Sequence, residues 1–339
     1  MKTMKTLRQP LMLLSMAAFA APLLFAQVQA QAQVVKIDGS STVYPITEGV
    51  AEDFQKLKKN VVKVTVGISG TGGGFKKFCR NEIDIADASR PIQKKEMEDC
   101  KAAGVEYFEL PIAFDALTVV VNPKNAFIKQ LTIDELKTMW EPAAQGKVLS
   151  WKQVNPAYPD SPLKLFGAGA DSGTFDYFTE AVNGKSKSSR GDFTASEDDN
   201  VLVQGVAQDV NALAFFGYAY YAENQSRLRA VPIVAKAGAP AVSPSEKTVL
   251  DGSYQPLSRP IFIYVNAKSM AKPEVKEFVE YYMKESAKIA KEVKYVPLPA
   301  KAYATNLEHL AKGKKGTVFG GANEIGITIE TLLAREAKL

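Results

Sequence analysis

Ser, Thr and Gly gather at four places in this chain, each where a β-like run gives way to a helical one. They are Asp38–Pro45 (DGSSTVYP), Gly67–Phe78 (GISGTGGGFKKF), Ala86–Ile92 (ADASRPI) and Gly167–Val182 (GAGADSGTFDYFTEAV). A hydroxyl at a helix start caps it, and the first N–H groups there lack intrahelical partners. Capping or turn formation accounts for any one of these stretches taken alone. Four in one chain point further, to neutral donors converging where the helix dipole favours negative charge. Glycine lets the backbone approach a ligand closely. A pocket of this kind suits a small, multiply charged oxyanion. Arg90 is the one cation expected inside it, because a guanidinium fork matches a tetrahedral oxyanion with two parallel bonds. The competing expectation for Arg90 is an ion pair with Asp87.

Catalytic patterns fit poorly. "GISGT" has Thr71 where a nucleophile elbow needs its second Gly. "GAGADSG" puts Ser172 where a dinucleotide fingerprint needs Gly, and no GxxxxGK[ST] loop occurs. The one histidine, His309, is far in sequence from every hydroxyl loop. No His/Cys cluster offers a metal site, and no cofactor is expected.

The elements that must hold these loops alternate between short apolar runs and helical patterns, which is the α/β signature. VVKIDG, VVKVTVGIS and IDIADAS read as strands. PITEGVAEDFQKLKK reads as a helix with Pro45 near its first turn. The second strand leads to a helix expected to begin near Gly73. ALTVVVN and PIFIYVN are longer apolar runs. A Thr132–Glu135 capping box opens LTIDELKTMW, and Pro273 stands at the start of a long amphipathic helix. Residues from about Lys236 to Pro260 read as an extended surface loop.

The chain has 339 residues, 46% hydrophobic and 23% charged, with a formal net charge of +5. This length favours two domains. No clustered basic stripe marks a nucleic-acid partner. Lys2, Lys5 and Arg8 precede an apolar stretch, Leu11–Phe25, and Val28-Gln29-Ala30 resembles a signal-peptidase site. A cleaved signal peptide, residues 1–30, is expected. Removing its three positive charges from +5 leaves a mature chain of about +2. No Cys stands near the cleavage site, so a lipoprotein anchor is not expected. In an oxidising compartment the only two cysteines, Cys79 and Cys100, are expected to pair. The loop of about 20 residues would contribute about 3 kcal/mol.

Taken together, DGSSTVYPI, SGTGGGFKKF, DIADASRPI and DSGTFDYFTEAV resemble the periplasmic phosphate-binding proteins of high-affinity phosphate ABC transporters, the PstS type. The resemblance runs from about Val34 to the C-terminus. It implies a type II periplasmic-binding fold: two α/β domains, a ligand cleft between them, and two crossing strands near Asp115–Asn122 and Arg259–Asn266. Domain I would hold residues 31–114 and 266–339, and domain II residues 115–265. The resemblance also implies a periplasmic monomer that captures inorganic phosphate and hands it to a membrane permease. A receptor for sulfate, molybdate or an organic phosphate is the alternative. A secreted phosphate-ester hydrolase fits less well.

Carried over position by position, the ligand contacts fall on Ser41, Thr42 and the N–H of Val43, on Ser69, Gly70 and Thr71, and on Ser172, Gly173 and Thr174. The best-known branch of the family has an Asp where this chain has Arg90. That branch also has an Arg shortly before its Ser-Gly-Thr, where this chain reads GAGA. The expected cation is therefore on the other domain. A carboxylate that accepts the proton of phosphate would repel sulfate, because a buried charged acceptor left unpaired is costly. Asp171 and then Asp115 are the candidates. Asp115 could instead pair with Arg90, and Asp171 could cap its helix.

Overall fold

The computed structural model describes Met1 and residues 33–339. The expected signal peptide lies outside the described residues apart from Met1. Alternating apolar residues and turn glycines build an α/β fold around a long sheet. Its main strands are β1 (Gln33–Gly39), β2 (Val62–Ile68), β3 (Ile85–Ala88), β4 (Tyr107–Val121), β5 (Lys164–Ala168), β6 (Thr194–Ser196), β7 (Ala212–Gly217) and β8 (Ser258–Asn266). The order across the sheet is β2-β1-β3-β8-β4-β7-β5-β6. β1 runs parallel to β2 and β3, and β5 runs parallel to β7 and β6. The two central strands, β4 and β8, pair antiparallel.

β4 is buried along its whole length, and it reads as a nearly continuous apolar run for that reason. It starts at Tyr107, well before the expected crossing at Asp115. Tyr107–Ala116 pairs with β8, and Leu117–Val121 pairs with β7. The strand thus changes partner just past Asp115, and that position sits directly opposite Arg259.

The helices that bear on the site are α1 (Tyr44–Leu57), α2 (Gly70–Phe78), α3 (Lys94–Ala102), α4 (Ile133–Trp140), α5 (Gly173–Asn183), α6 (Asp199–Gln208), α7 (Pro273–Glu292), α8 (Ala300–Lys312) and α9 (Ile329–Glu336). The Thr132–Glu135 capping box and the N-terminal Pro273 are both present. α2 begins three residues earlier than expected, at Gly70. The Lys236–Pro260 stretch contains a short helix, Glu246–Leu250, and the first residues of β8. α1 packs on α7 through edge-to-face rings of Phe54 and Phe278, whose centroids are 5.3 Å apart. Beyond β4, Phe178 of α5 stacks on Phe215 of β7 at 3.8 Å. Cys79 and Cys100 form the expected disulfide, tying α2 to α3. No helix among the described residues is long and apolar enough to cross a membrane.

Candidate oxyanion-binding site

The loop after β1, the loop after β3 and the first turns of α2 and α5 meet at the point where β4 changes partner. Thr42 Oγ1 lies 2.9 Å from Thr174 Oγ1. Arg259 Nη2 donates to Thr174 Oγ1 at 2.8 Å and to Thr42 Oγ1 at 3.4 Å, and Nη1 donates to the Gly173 carbonyl at 3.2 Å. Arg259 Nε and Nη2 both reach Asp115 Oδ2, at 3.2 and 3.0 Å. Both side chains are fully buried. The Tyr218 N–H donates to the other Asp115 oxygen at 3.1 Å. Burial pushes the Asp115 carboxyl up, against the opposing pull of Arg259. Antiparallel register makes this ion pair: Arg259 and Asp115 are direct cross-strand partners.

A second hydroxyl pair adjoins the first. Thr71 Oγ1 lies 3.1 Å from Ser89 Oγ, and the Ser89 N–H donates to Thr71 Oγ1 at 3.1 Å. Gly173 joins the two pairs. A Cβ there would stand 2.5 Å from Thr71 Oγ1 and 2.7 Å from Ser89 Oγ. Gly70 is needed for two reasons: its φ is +75°, and a Cβ would come within 2.6 Å of the Asp171 carbonyl. The starts of α2 and α5 therefore touch backbone to backbone, sealed by Gly72 N–H donating to the Asp171 carbonyl at 2.7 Å.

Ser172 caps α5, its Oγ accepting from the Thr174 N–H at 3.1 Å, which leaves its hydroxyl hydrogen to donate. Ser41 is buried, and its carbonyl accepts from the Tyr220 hydroxyl. Thr42, Thr71, Gly173 and Thr174, all expected from sequence, are thus brought together, with Ser41, Gly70 and Ser172 at the edge of the cluster.

Other expected residues have other partners. The Arg90 guanidinium is engaged elsewhere: it bonds both oxygens of Glu96 at 2.8 Å, Asp176 Oδ2 at 2.7 Å and the Pro91 carbonyl at 3.0 Å. Burial opposes its charge, and the two carboxylates outweigh burial and hold it protonated. Asp87 is not its partner, since Asp87 instead accepts from the Thr47 hydroxyl at 3.1 Å. Asp115 pairs with Arg259 rather than Arg90. The Asp171 carboxylate is partly exposed and turns outward to Lys76 at 2.7 Å, while Ser172 does the capping. Ser69 gives its hydroxyl to Asp38 and its N–H to the Gly39 carbonyl. The Val43 N–H closes a turn on the Ser40 carbonyl at 3.2 Å. Arg259 and Ser89 are the members that the sequence reading passed over. A signal for Arg259 existed, because an arginine near the start of a mostly apolar strand needs a buried partner.

The cluster offers neutral hydroxyl donors, helix-start amides and one guanidinium. His309, buried on α8, has Glu336 of α9 as its neighbour at 3.7 Å. No group of three or more His, Cys, Asp or Glu that could hold a metal occurs among the described residues.

Known proteins share this architecture. A profile of the PBP superfamily domain matches residues 26–286. Protein SphX of Synechococcus elongatus is 50% identical over 338 residues, 99% of each chain. The phosphate-binding protein PstS of Staphylococcus saprophyticus is 39% identical over 272 residues, covering 79% of this chain and 82% of that one. The chain belongs to the PstS-type phosphate-binding proteins. A putative phosphate ABC transporter substrate-binding protein from Clostridium perfringens, solved with bound phosphate, superposes with a TM-score of 0.64 at 25% identity. That match covers 79% of this chain and all of the other. The second and third of these relatives are, by their names, binding proteins.

Proposed function

We propose that this chain captures inorganic phosphate among Thr42, Thr71, Ser89, Gly173, Thr174 and Arg259 and delivers it to the membrane permease of an ABC transporter. One observation carries the reading. A PstS-type chain buries a guanidinium whose non-carboxylate partners are two threonine hydroxyls and a carbonyl at a helix start. Thr71, Ser89 and Ser172 supply further hydroxyls, and the α2 and α5 termini supply N–H groups and a favourable dipole. Thr42 and Thr174 touch directly, so the ligand enters when the two sides part. The two sides are residues 31–114 with the C-terminal segment, and the middle of the chain. The crossing strands are β4 just past Asp115 and the start of β8. The second boundary, set at 265/266 from sequence, moves to about 257/258 in this reading, because all of β8 pairs with Tyr107–Ala116. Hinge closure about such crossings traps the ligand. The chain works as an exported, periplasmic monomer.

Calorimetric titration of the ligand-stripped mature chain with phosphate tests this. One-to-one binding is expected. Absence of binding overturns it, and binding of sulfate or molybdate in place of phosphate moves the assignment to another oxyanion.

A further inference from the structure

Residues 317–327 join α8 to α9 and touch elements on both sides of the molecule. On the first side they are fastened to β4, α3 and β8. The Val318 N–H donates to Glu109 Oε1 at 3.0 Å. The Lys94 N–H donates to the Gly321 carbonyl at 3.1 Å. The Phe319 ring meets Phe262 edge-on, with centroids 5.6 Å apart. Beyond the segment, Leu332 of α9 is fully buried, and Arg335 turns back to pair with Glu324. The same segment also reaches α5, in the middle of the chain. Asn323 Nδ2 donates to Glu180 Oε2 at 2.7 Å, and the Gly326 N–H donates to the Tyr177 hydroxyl at 3.1 Å. Tyr177 and Glu180 are three residues apart on the helix, so they are neighbours on its surface. Tyr177 is itself tied to the crossing before β8: its hydroxyl lies 2.8 Å from the Ser258 carbonyl and 3.0 Å from the Pro256 carbonyl. The Arg259 guanidinium stands over its ring at 5.6 Å.

The donors of these two bonds ride with one side and the acceptors with the other. Neither bond uses a residue placed among the ligand contacts. We propose that residues 317–327 form a strap that grips α5 when the two sides close, so that Asn323 and Gly326 set how long the ligand is held without touching it. The proposal rests on the phosphate-receptor reading above and its hinge closure. Phosphate enters while the sides are apart, before either bond is made. It leaves only after both are broken. Loss of one bond therefore speeds release and leaves capture nearly unchanged. Asn323 is a positioning residue in this scheme: it acts on the ligand through α5, whose first turn carries Gly173 and Thr174.

The test measures release of radiolabelled phosphate from the mature chain under a chase of unlabelled phosphate, with calorimetry supplying the affinity and the ratio of the two giving the association rate. Asn323→Ala should raise the dissociation rate by about fivefold or more and weaken affinity by the same factor. Its association rate should stay within about twofold of the wild type. The melting temperature of the ligand-free chain should move little, which a merely structural bond would not allow. Asn323→Asp, which sets a like charge against Glu180, should release phosphate faster still. Pairing Asn323→Asp with Glu180→Gln restores a donor and an acceptor and should return the rate towards that of the wild type. Glu180→Ala reads the same bond from the other side if an Asn323 variant does not fold. A wild-type dissociation rate in both Asn323→Ala and Glu180→Ala, or an effect confined to the ligand-free melting temperature, overturns the strap and leaves the receptor reading intact. A wild type that binds no phosphate removes both.

Discussion

Two buried arginines sit against the same helix, and in the proposed reading only one of them serves a ligand. Arg90 reaches Asp176 of α5, and Arg259 reaches Gly173 and Thr174 at the start of that helix. Each guanidinium also lies near an aromatic ring, Phe75 at 5.7 Å and Tyr177 at 5.6 Å. They differ in their partners. Arg90 is enclosed by two carboxylates, with Glu96 gripping it through two parallel bonds. Arg259 has a single carboxylate, and its remaining bonds go to hydroxyls and a carbonyl. A hydroxyl accepts and donates, so an arriving anion can take its place on the guanidinium and still receive its hydrogen. A carboxylate offers no such exchange. What a buried cation can do is decided by its partners more than by its own type or depth.

The comparison can be broken by exchanging one arginine at a time. Arg259→Gln removes the guanidinium proposed to meet the ligand and leaves Asp115 buried without its counter-ion. Phosphate affinity should fall by about a hundredfold or more, and urea denaturation should show a loss of about 3 kcal/mol or more. Arg90→Gln should show a similar loss of stability, because Glu96 and Asp176 lose their counter-ion. Its affinity, measured on the folded fraction, should change by less than about tenfold. A reversed ranking of the two variants in phosphate affinity would mean that Arg90 leaves its carboxylates to meet the ligand. Thr42→Val sharpens the same contrast on a smaller scale. It keeps volume and removes one hydroxyl, so affinity should drop by about tenfold, with the melting temperature little changed.

Much of this was readable before the fold was known, for physical reasons. Hydroxyls and glycines at strand-to-helix joints announce helix starts that face something, and Thr42, Thr71, Gly173 and Thr174 do converge. The apolar runs gave β4 and β8, since strands buried on both faces cannot alternate. What sequence could not show was which charges meet across distance. Arg259 and Asp115 are 144 positions apart, and Arg90 and Asp176 are 86 apart. One clue to Arg90 was local. Gln93 and Glu96 make a capping box at the start of α3, which turns Glu96 back toward the loop that carries Arg90. At Ser69 and Val43 a hydroxyl or an amide at a helix start serves a nearby acceptor as readily as it would a ligand. Here the Asp38 carboxylate and the Ser40 carbonyl take them.

The most direct test of the account is a crystal structure of the mature chain with phosphate bound. The prediction is a phosphate within hydrogen-bond distance of Arg259, Thr42 and Thr174, with Arg90 still held by Glu96 and Asp176. A phosphate held by Arg90, with Arg259 still closed on Asp115 and the two threonines, would contradict it.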